Sequence, residues 1–122
     1  MRSIKSDQQL DSVGEVIASR RLRRLRDGVA SEVTVLIGKP QPFEDGGGHY
    51  CPYQIVGVGS QAVRWVAGVD AVQALILVAH MIGTELWSYV HRDGEMLRWG
   101  DTDNDELGFP LWGDEPNDLK EM

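Results

Sequence analysis

Cysteine and long uninterrupted apolar runs are the features that this chain of 122 residues has least of. Its single cysteine, Cys51, excludes an internal disulfide and a metal site built on paired cysteines. Residues 1–12 lack the apolar core and the small-residue cleavage site of a secretion signal. The longest apolar stretch, residues 71–90, is interrupted by polar and charged side chains, which argues against a membrane span. We therefore expect a cytoplasmic protein with a reduced thiol.

Positive charge is scarce outside the N-terminal third of the chain. The net charge is −7, but residues 1–39 hold 8 Lys and Arg against 5 Asp and Glu, whereas residues 40–122 hold 4 against 14. An asymmetry of this kind governs solubility and the choice of partners rather than the fold.

Four strand-like segments precede the one long helical segment. Residues 13–26 and 32–39 are predicted to pair as a hairpin around the turn residues Asp27 and Gly28, with an arginine-rich helix as the alternative for the first segment. Residues 51–58 and 62–67 follow a glycine-rich loop. Pro52 favours an edge or strand-entry position, because proline cannot donate to a sheet ladder.

A helix is predicted from Ala71 to about His91, with Asp70 as its N-cap and Val69 as a staple residue. A short final strand follows at residues 95–99. The fold class is therefore α+β: an antiparallel sheet of four to five strands with one long helix on one face, in the order β-β-β-β-α-β. The predicted organisation is a flexible N-terminus at 1–12, a single domain at 13–110 and an acidic tail at 111–122.

The predicted helix is apolar on nearly every side. Its sheet-facing stripe comprises Leu75, Val78, Ala79, Ile82, Leu86 and Tyr89, together with Ala71, Val72 and Val90. A second, mixed face contains Leu77, His80, Thr84 and Trp87, with Ile76 and Met81 at its borders. Either residues 107–112 or a second copy should cover it, and Gly83 predicts close approach of another backbone. The candidate interface residues are Leu77, Met81, Trp87, Phe109 and Trp112.

The candidate metal and nucleophile sites fail on the spacing, the expected burial or the identity of their residues. His80 and His91 are separated by about 16 Å of helical rise, too far to share one ion. Cys51 lies two residues from His49, but its position in an apolar strand favours a buried structural thiol. Residues 101–105 resemble the start of a calcium-binding loop. Such a loop requires glycine at the next position, where this chain has Glu106. We expect no cofactor.

The arginine run Arg20–Arg26 is the strongest local charge feature. In a strand its side chains divide, with Arg20, Arg24 and Arg26 on one face and Arg21 and Arg23 on the other. Nucleic-acid binding is one interpretation. Because the rest of the chain is acidic, pairing with the acidic C-terminal segment or protection of an edge strand is favoured instead.

A small-molecule site or minor enzyme is a second hypothesis. It would use the loop Gly46–Tyr50, where successive glycines permit many backbone conformations. The candidate ligand residues are His49, Tyr50, Tyr53 and Trp65.

Three segments, CPYQIVGVG, AVRWVAGVDAVQALILVAHMIGTEL and ELGFP, resemble a family of small bacterial proteins described as a domain of unknown function. The resemblance runs from about Val16 to Pro110. It implies a compact, stand-alone bacterial domain and supplies no activity or site residues.

The sequence leaves enzymatic activity open and favours a non-enzymatic protein-interaction module. The apolar helix suggests a homodimer, and the acidic tail with its aromatic residues suits a basic protein partner. An immunity-like protein is one member of this class.

Overall fold

The computed structural model describes residues 10–100 and 107–111 of the chain. In these residues an open antiparallel sheet carries one helix on one face, which confirms the predicted α+β class. The elements are β1 (Val16–Arg26), β2 (Val29–Gly38), β3 (Gln41–Pro42), β4 (His49–Val56), β5 (Arg64–Gly68), α1 (Ala71–His91) and β6 (Met96–Arg98). The very short β3 is the one strand that the sequence did not predict.

The first two strands form the predicted hairpin. Arg26 pairs with Val29, and the two residues between them have positive φ, 53° at Asp27 and 77° at Gly28. This is the type I′ conformation, whose twist matches that of antiparallel strands and which Asp-Gly readily adopts. The arginine-rich run is therefore a strand, and the alternative helix is wrong.

The sheet has the order β3-β4-β2-β1-β6, and β5 pairs with the other edge of β4. Pro52 lies inside this sheet, so the expected edge or strand-entry position is wrong. On one side β4 pairs with β2 through residues 53–56 and with β3 through residues 49–50. Pro52 therefore lies where the ladder passes from β2 to β3, and on that side no described residue of either strand pairs with it.

Helix α1 begins and ends where the sequence predicts. The Asp70 carboxylate accepts a hydrogen bond from the Gln73 backbone N–H at 2.8 Å, and the Gln73 side chain accepts one from the Val69 N–H at 2.7 Å. This reciprocal arrangement satisfies the unpaired N–H of the third helical residue and the N–H of the residue before the N-cap. Val69 is 77% exposed, so it does not act as the predicted staple.

Most of the predicted sheet-facing stripe of α1 meets the sheet, since Val78, Ile82 and Leu86 are buried and Leu75, Tyr89 and Val90 pack partly buried against the core. The buried line of the helix is Ala74, Val78, Ile82 and Leu86, and it packs over β4 and β5. Val72, predicted to face the sheet, is 65% exposed. A Cβ on Gly68 would lie 2.5 Å from the Ala74 nitrogen. The end of β5 therefore touches the first turn of the helix, where only small residues fit.

A second, smaller apolar cluster lies on the sheet face opposite α1. Phe43 and Tyr50 are buried there, with Leu10 and Trp65 packed against them. The ring centroids of Phe43 and Tyr50 are 5.2 Å apart, and those of Phe43 and Trp65 are 5.5 Å apart. These aromatic rings cover only the β3-β4-β5 end of that face.

In length and composition α1 would suit a membrane span, with a mean hydropathy of 1.3 in its most apolar window. The same composition is found in helices that pack on a sheet in soluble proteins. Here one side of α1 packs on β4 and β5, and 28% of that window is buried.

Candidate functional site

The arginines of β1 divide between the two faces of the sheet, as strand alternation predicts. Leu22 pairs with Val33, and both side chains are buried on the side of α1. Arg20 and Arg24 flank Leu22 on this side. Arg21 and Arg23 therefore project from the opposite, outer face.

Arg20 holds the segment Leu107–Leu111 against the rest of the molecule. One guanidinium nitrogen donates hydrogen bonds to the carbonyl oxygens of Leu107 and Gly108, at 3.1 and 3.0 Å. The guanidinium also lies 3.8 Å from the centroid of the Trp99 ring and 4.7 Å from that of Phe109. Partial burial lowers the pKa of Arg20, which stays charged in this aromatic clamp.

Arg24 forms the best-defined ion pair among the described residues. Its Nε and Nη2 atoms donate to the two carboxylate oxygens of Glu95 at 2.7 and 2.8 Å, and Nη1 donates to the Gly57 carbonyl at 3.2 Å. The hydrogen bonds raise the pKa of Arg24 and lower that of Glu95. Glu95 lies just before β6 and not in the acidic tail, so the predicted pairing of the arginines with that tail stays a prediction.

The outward arginines line a shallow concavity on the outer face. It encloses about 470 Å³ and is lined by Arg21, Leu22, Arg23, Ala30, Ser31, Glu32 and Gly100. A second hollow of about 270 Å³ shares Arg23 and Ala30 with it and extends to Leu25, Met96 and Arg98. Together they form one depression across β2, β1 and β6, which we call the arginine groove.

On the other side of the molecule, the segment Leu107–Leu111 crosses α1 at Gly83. A Cβ on Gly83 would lie 2.1 Å from the Pro110 carbonyl oxygen and 3.2 Å from the Phe109 Cβ. The predicted backbone approach at this glycine is therefore confirmed, and the chain itself supplies the backbone. Phe109 packs partly buried against the main core.

The crossing segment leaves part of the helix exposed. Val72, Ile76 and Trp87 retain 65, 56 and 44% of their surface, and all three lie on the side of α1 that carries Gly83. We call these three residues the helix stripe. Among the predicted interface residues, Trp87 belongs to it, Met81 is exposed on another side, Leu77 is half-buried and Trp112 lies outside the described residues.

The four candidate ligand residues do not gather around the glycine-rich loop. Tyr50 and Trp65 belong to the buried aromatic cluster on the outer face. Tyr53 lies on the helix side, where its hydroxyl donates to Glu85 at 2.9 Å. His49 has the same strand parity as Tyr53. Successive residues of β4 point to opposite faces of the sheet. Tyr50 and Trp65 therefore line the outer face, and His49 and Tyr53 line the helix side.

The loop itself is closed by its own hydrogen bonds. The Phe43 N–H donates to the Gly48 carbonyl at 2.9 Å, and the Gly46 N–H donates to the Phe43 carbonyl at 3.1 Å. A Cβ on Gly48 would lie 2.4 Å from the Gly68 carbonyl, so this glycine allows the loop to pack against the end of β5.

Glu85 forms a polar cluster that the sequence did not predict. Both Tyr53 and Tyr89 donate hydroxyl hydrogen bonds to its carboxylate, and Arg64 lies 3.9 Å away. Burial is the main cause that raises the pKa of both phenols, to about 12 for Tyr89, and the negative charge of Glu85 adds to it. These groups satisfy one another, so the cluster links α1 to β4 and β5. Tyr89 lies four residues beyond Glu85 on the predicted helix, a spacing visible in the sequence, whereas Tyr53 is 32 residues away along the chain.

Cys51 has the character of a structural thiol. It is fully buried, and its sulfur donates to the Gly38 carbonyl at 3.4 Å. Burial raises its pKa to about 12, which keeps the thiol protonated and unreactive near neutral pH. Within residues 10–100 and 107–111, no three His, Cys, Asp or Glu side chains are placed to share a metal ion.

A family model described as a domain of unknown function, DUF6968, matches residues 18–111. The chain belongs to this family. The predicted resemblance is thereby confirmed, while the bacterial origin stays a prediction. No curated protein and no solved structure matches the chain.

The match to DUF6968 includes both the arginine strand and the segment that crosses α1. The arginine groove, the helix stripe and the contacts of Arg20 and Arg24 therefore lie almost wholly within the DUF6968 domain. Sequence reasoning separated the inward from the outward arginines by alternation. It missed Glu95 and the two carbonyl acceptors, because they lie 71 or more residues away along the chain.

Proposed function

We propose that this domain is a non-enzymatic protein-interaction module that forms a homodimer through the helix stripe. The observation that carries the proposal is the exposure of Val72, Ile76 and Trp87 on one side of α1. Large apolar side chains grouped on one helix face are typical of a surface that another protein covers.

The stripe is suited to self-association because it lacks charge. Between Ala71 and His91 the only acidic or basic side chains are His80, Glu85 and His91. Glu85 faces the sheet cluster, away from the stripe. Two copies of a chain with a net charge of −7 repel each other. This repulsion opposes contact least where the two surfaces that meet carry no charge.

The states of the potentially reactive side chains support a binding role over catalysis. The Cys51 thiol is buried and protonated, and the Glu85 carboxylate is engaged by two phenols. Arg20 and Arg24 are engaged by carbonyl oxygens and by Glu95. An immunity-like role, in which the domain neutralises a toxin by binding it, is one form of this function.

The test is the solution mass of the full chain, measured by sedimentation equilibrium. We expect a dimer, and we expect Ile76→Glu and Trp87→Glu to yield monomers with an unchanged circular dichroism spectrum. Each change places a charge in an interface that would have to bury it, which is strongly unfavourable.

Ile17→Glu is the matched control, since Ile17 is exposed by 45% on β1, away from the helix stripe. It should leave the dimer intact. A monomer for the unchanged chain at every concentration up to the millimolar range would reject the homodimer. Unfolding of Ile76→Glu and Trp87→Glu would mean that the stripe is covered within one chain.

A further inference from the structure

The outer face of the sheet offers a second surface, on the side opposite α1. The strand pairing arranges its side chains in rows across β6, β1 and β2. One row is charged, with Arg98 opposite Arg23 and Arg23 opposite Glu32. The next row is apolar, with Met96 opposite Leu25 and Leu25 opposite Ala30. Both rows line the arginine groove.

The groove places positive charge at regular spacing. Arg21 and Arg23 are alternate residues of β1, so their Cα atoms are about 6.6 Å apart at 3.3 Å per residue. The Arg21 side chain is 80% exposed, and its ion pair with Glu32 is long, at 3.9 Å. An exposed pair of that geometry is weak, so a competing carboxylate displaces it at little cost.

We infer that the arginine groove binds an extended acidic segment of a partner protein. In an extended chain, alternate side chains are also about 6.6 Å apart and point the same way. Carboxylates at positions i and i+2 of the partner then face Arg21 and Arg23, where each guanidinium can accept a bidentate carboxylate. An apolar residue two positions further reaches the row of Leu25 and Met96, which are 45 and 54% exposed.

The composition of the groove favours a protein over a nucleic acid. Arginine and methionine are enriched in protein interfaces, and the apolar row suits a peptide side chain. A nucleic acid needs positive charge that tracks several phosphates, whereas the groove sets Arg21, Arg23 and Arg98 beside an apolar row.

The direction of the charge match differs from the sequence expectation of a basic partner. That expectation rested on the acidic C-terminal segment, most of which lies outside the described residues. The described residues contain nearly equal numbers of the two signs, nine Lys and Arg against ten Asp and Glu. Arg21 and Arg23 are exposed side by side on the outer face, and this local positive charge favours an acidic partner.

The experiment is fluorescence anisotropy with a labelled nine-residue peptide that has aspartate at positions 3 and 5, leucine at position 7 and serine elsewhere, so that the three side chains point the same way in an extended chain. We expect saturable binding to the full chain that weakens as salt rises, and a loss of at least tenfold in affinity for the double variant Arg21→Ala/Arg23→Ala. Both side chains are exposed, so the fold should survive, which circular dichroism and the melting temperature will verify. Arg92→Ala is the matched control, because Arg92 is an exposed arginine at the end of α1.

Four outcomes would overturn the inference. They are equal binding of a peptide with asparagine in place of aspartate, full affinity in the double variant, and tighter binding of a nine-nucleotide oligothymidine than of the acidic peptide. The fourth is binding that emerges only after Asp101, Asp103 and Asp105 are changed to Asn, which would assign the groove to the chain's own alternating aspartates. Ile76→Glu should bind as the unchanged chain does, which separates this inference from the homodimer.

Discussion

Cys51 illustrates how burial alone decides the chemistry of a single side chain. It lies in the middle of β4 at 0% exposure, and the sheet raises its pKa from 9.0 to about 12. The neighbouring His49 in sequence suggested a nucleophile, but a thiol this basic carries almost no thiolate at neutral pH.

The raised pKa predicts a loss of stability at high pH. Above pH 9 the unfolded thiol ionises while the folded one stays protonated, so the free energy of unfolding falls as pH rises towards 12. Below pH 9 both states hold the proton and Cys51 contributes no pH dependence. Urea unfolding at pH 8 and pH 10.5 should show a smaller fall for Cys51→Ala than for the unchanged chain, by roughly 1–2 kcal/mol.

The raised pKa values of Tyr53 and Tyr89 act in the same direction, so part of the alkaline loss should persist in Cys51→Ala. Parallel pH dependence of the two proteins would contradict the buried, protonated thiol. The comparison uses the difference between two pH values, so any cavity left by the missing sulfur cancels.

At the scale of elements, α1 and the segment Leu107–Leu111 meet at Gly83. Glycine is unfavourable inside a helix by about 1 kcal/mol relative to alanine. The Pro110 carbonyl occupies the space that a Cβ would need, so this cost is offset by the packing of the crossing segment. Gly83→Ala therefore sets helix propensity against a steric clash.

We expect the clash to dominate, because the obstructing atom belongs to a backbone that Arg20 holds in place. Gly83→Ala should lower the free energy of unfolding by about 1–3 kcal/mol, the usual cost of overpacking. Chemical denaturation monitored by circular dichroism measures it. A gain of about 1 kcal/mol instead would mean that the crossing segment yields freely and that only helix propensity matters.

Helix α1 and most of its sheet-facing stripe were predictable from sequence, whereas several strand contacts were not. Asp70 and the apolar periodicity are local signals, so they located both ends of the helix. The close approach of Gly68 to the first turn of the helix is a tertiary contact that the sequence did not predict. Likewise β3 and the interior position of Pro52 follow from pairing between distant strands, which no local pattern encodes.

At the scale of the whole molecule, the two proposed surfaces lie on opposite sides. A dimer formed through the helix stripe would present two arginine grooves facing away from each other. Such an arrangement would bind a partner with two acidic segments more tightly than either groove alone, provided that the partner spans both. The sequence located the outward arginines by alternation, but the groove needed β6, whose pairing with β1 is non-local.

The ion pair of Arg24 and Glu95 connects the first strand to the chain that returns after α1. Glu95 immediately precedes β6, so the pair fixes the last strand at the edge of the sheet beside β1. Both side chains are mostly buried, with 18 and 14% exposure. Removing one charge leaves the other without its partner, which makes this contact more important than an exposed pair.

We therefore expect Glu95→Gln to lower the melting temperature at pH 7, while Glu44→Gln, a change in an exposed loop, should not. The Arg24 guanidinium lowers the pKa of Glu95, so the stabilisation is present above the ordinary pKa of a carboxyl group and is lost as pH falls through the lowered value. The difference between the unchanged chain and Glu95→Gln should consequently shrink between pH 7 and pH 3. A constant difference over that range would mean that shape and hydrogen bonding, rather than the ionised carboxylate, hold β6 against β1.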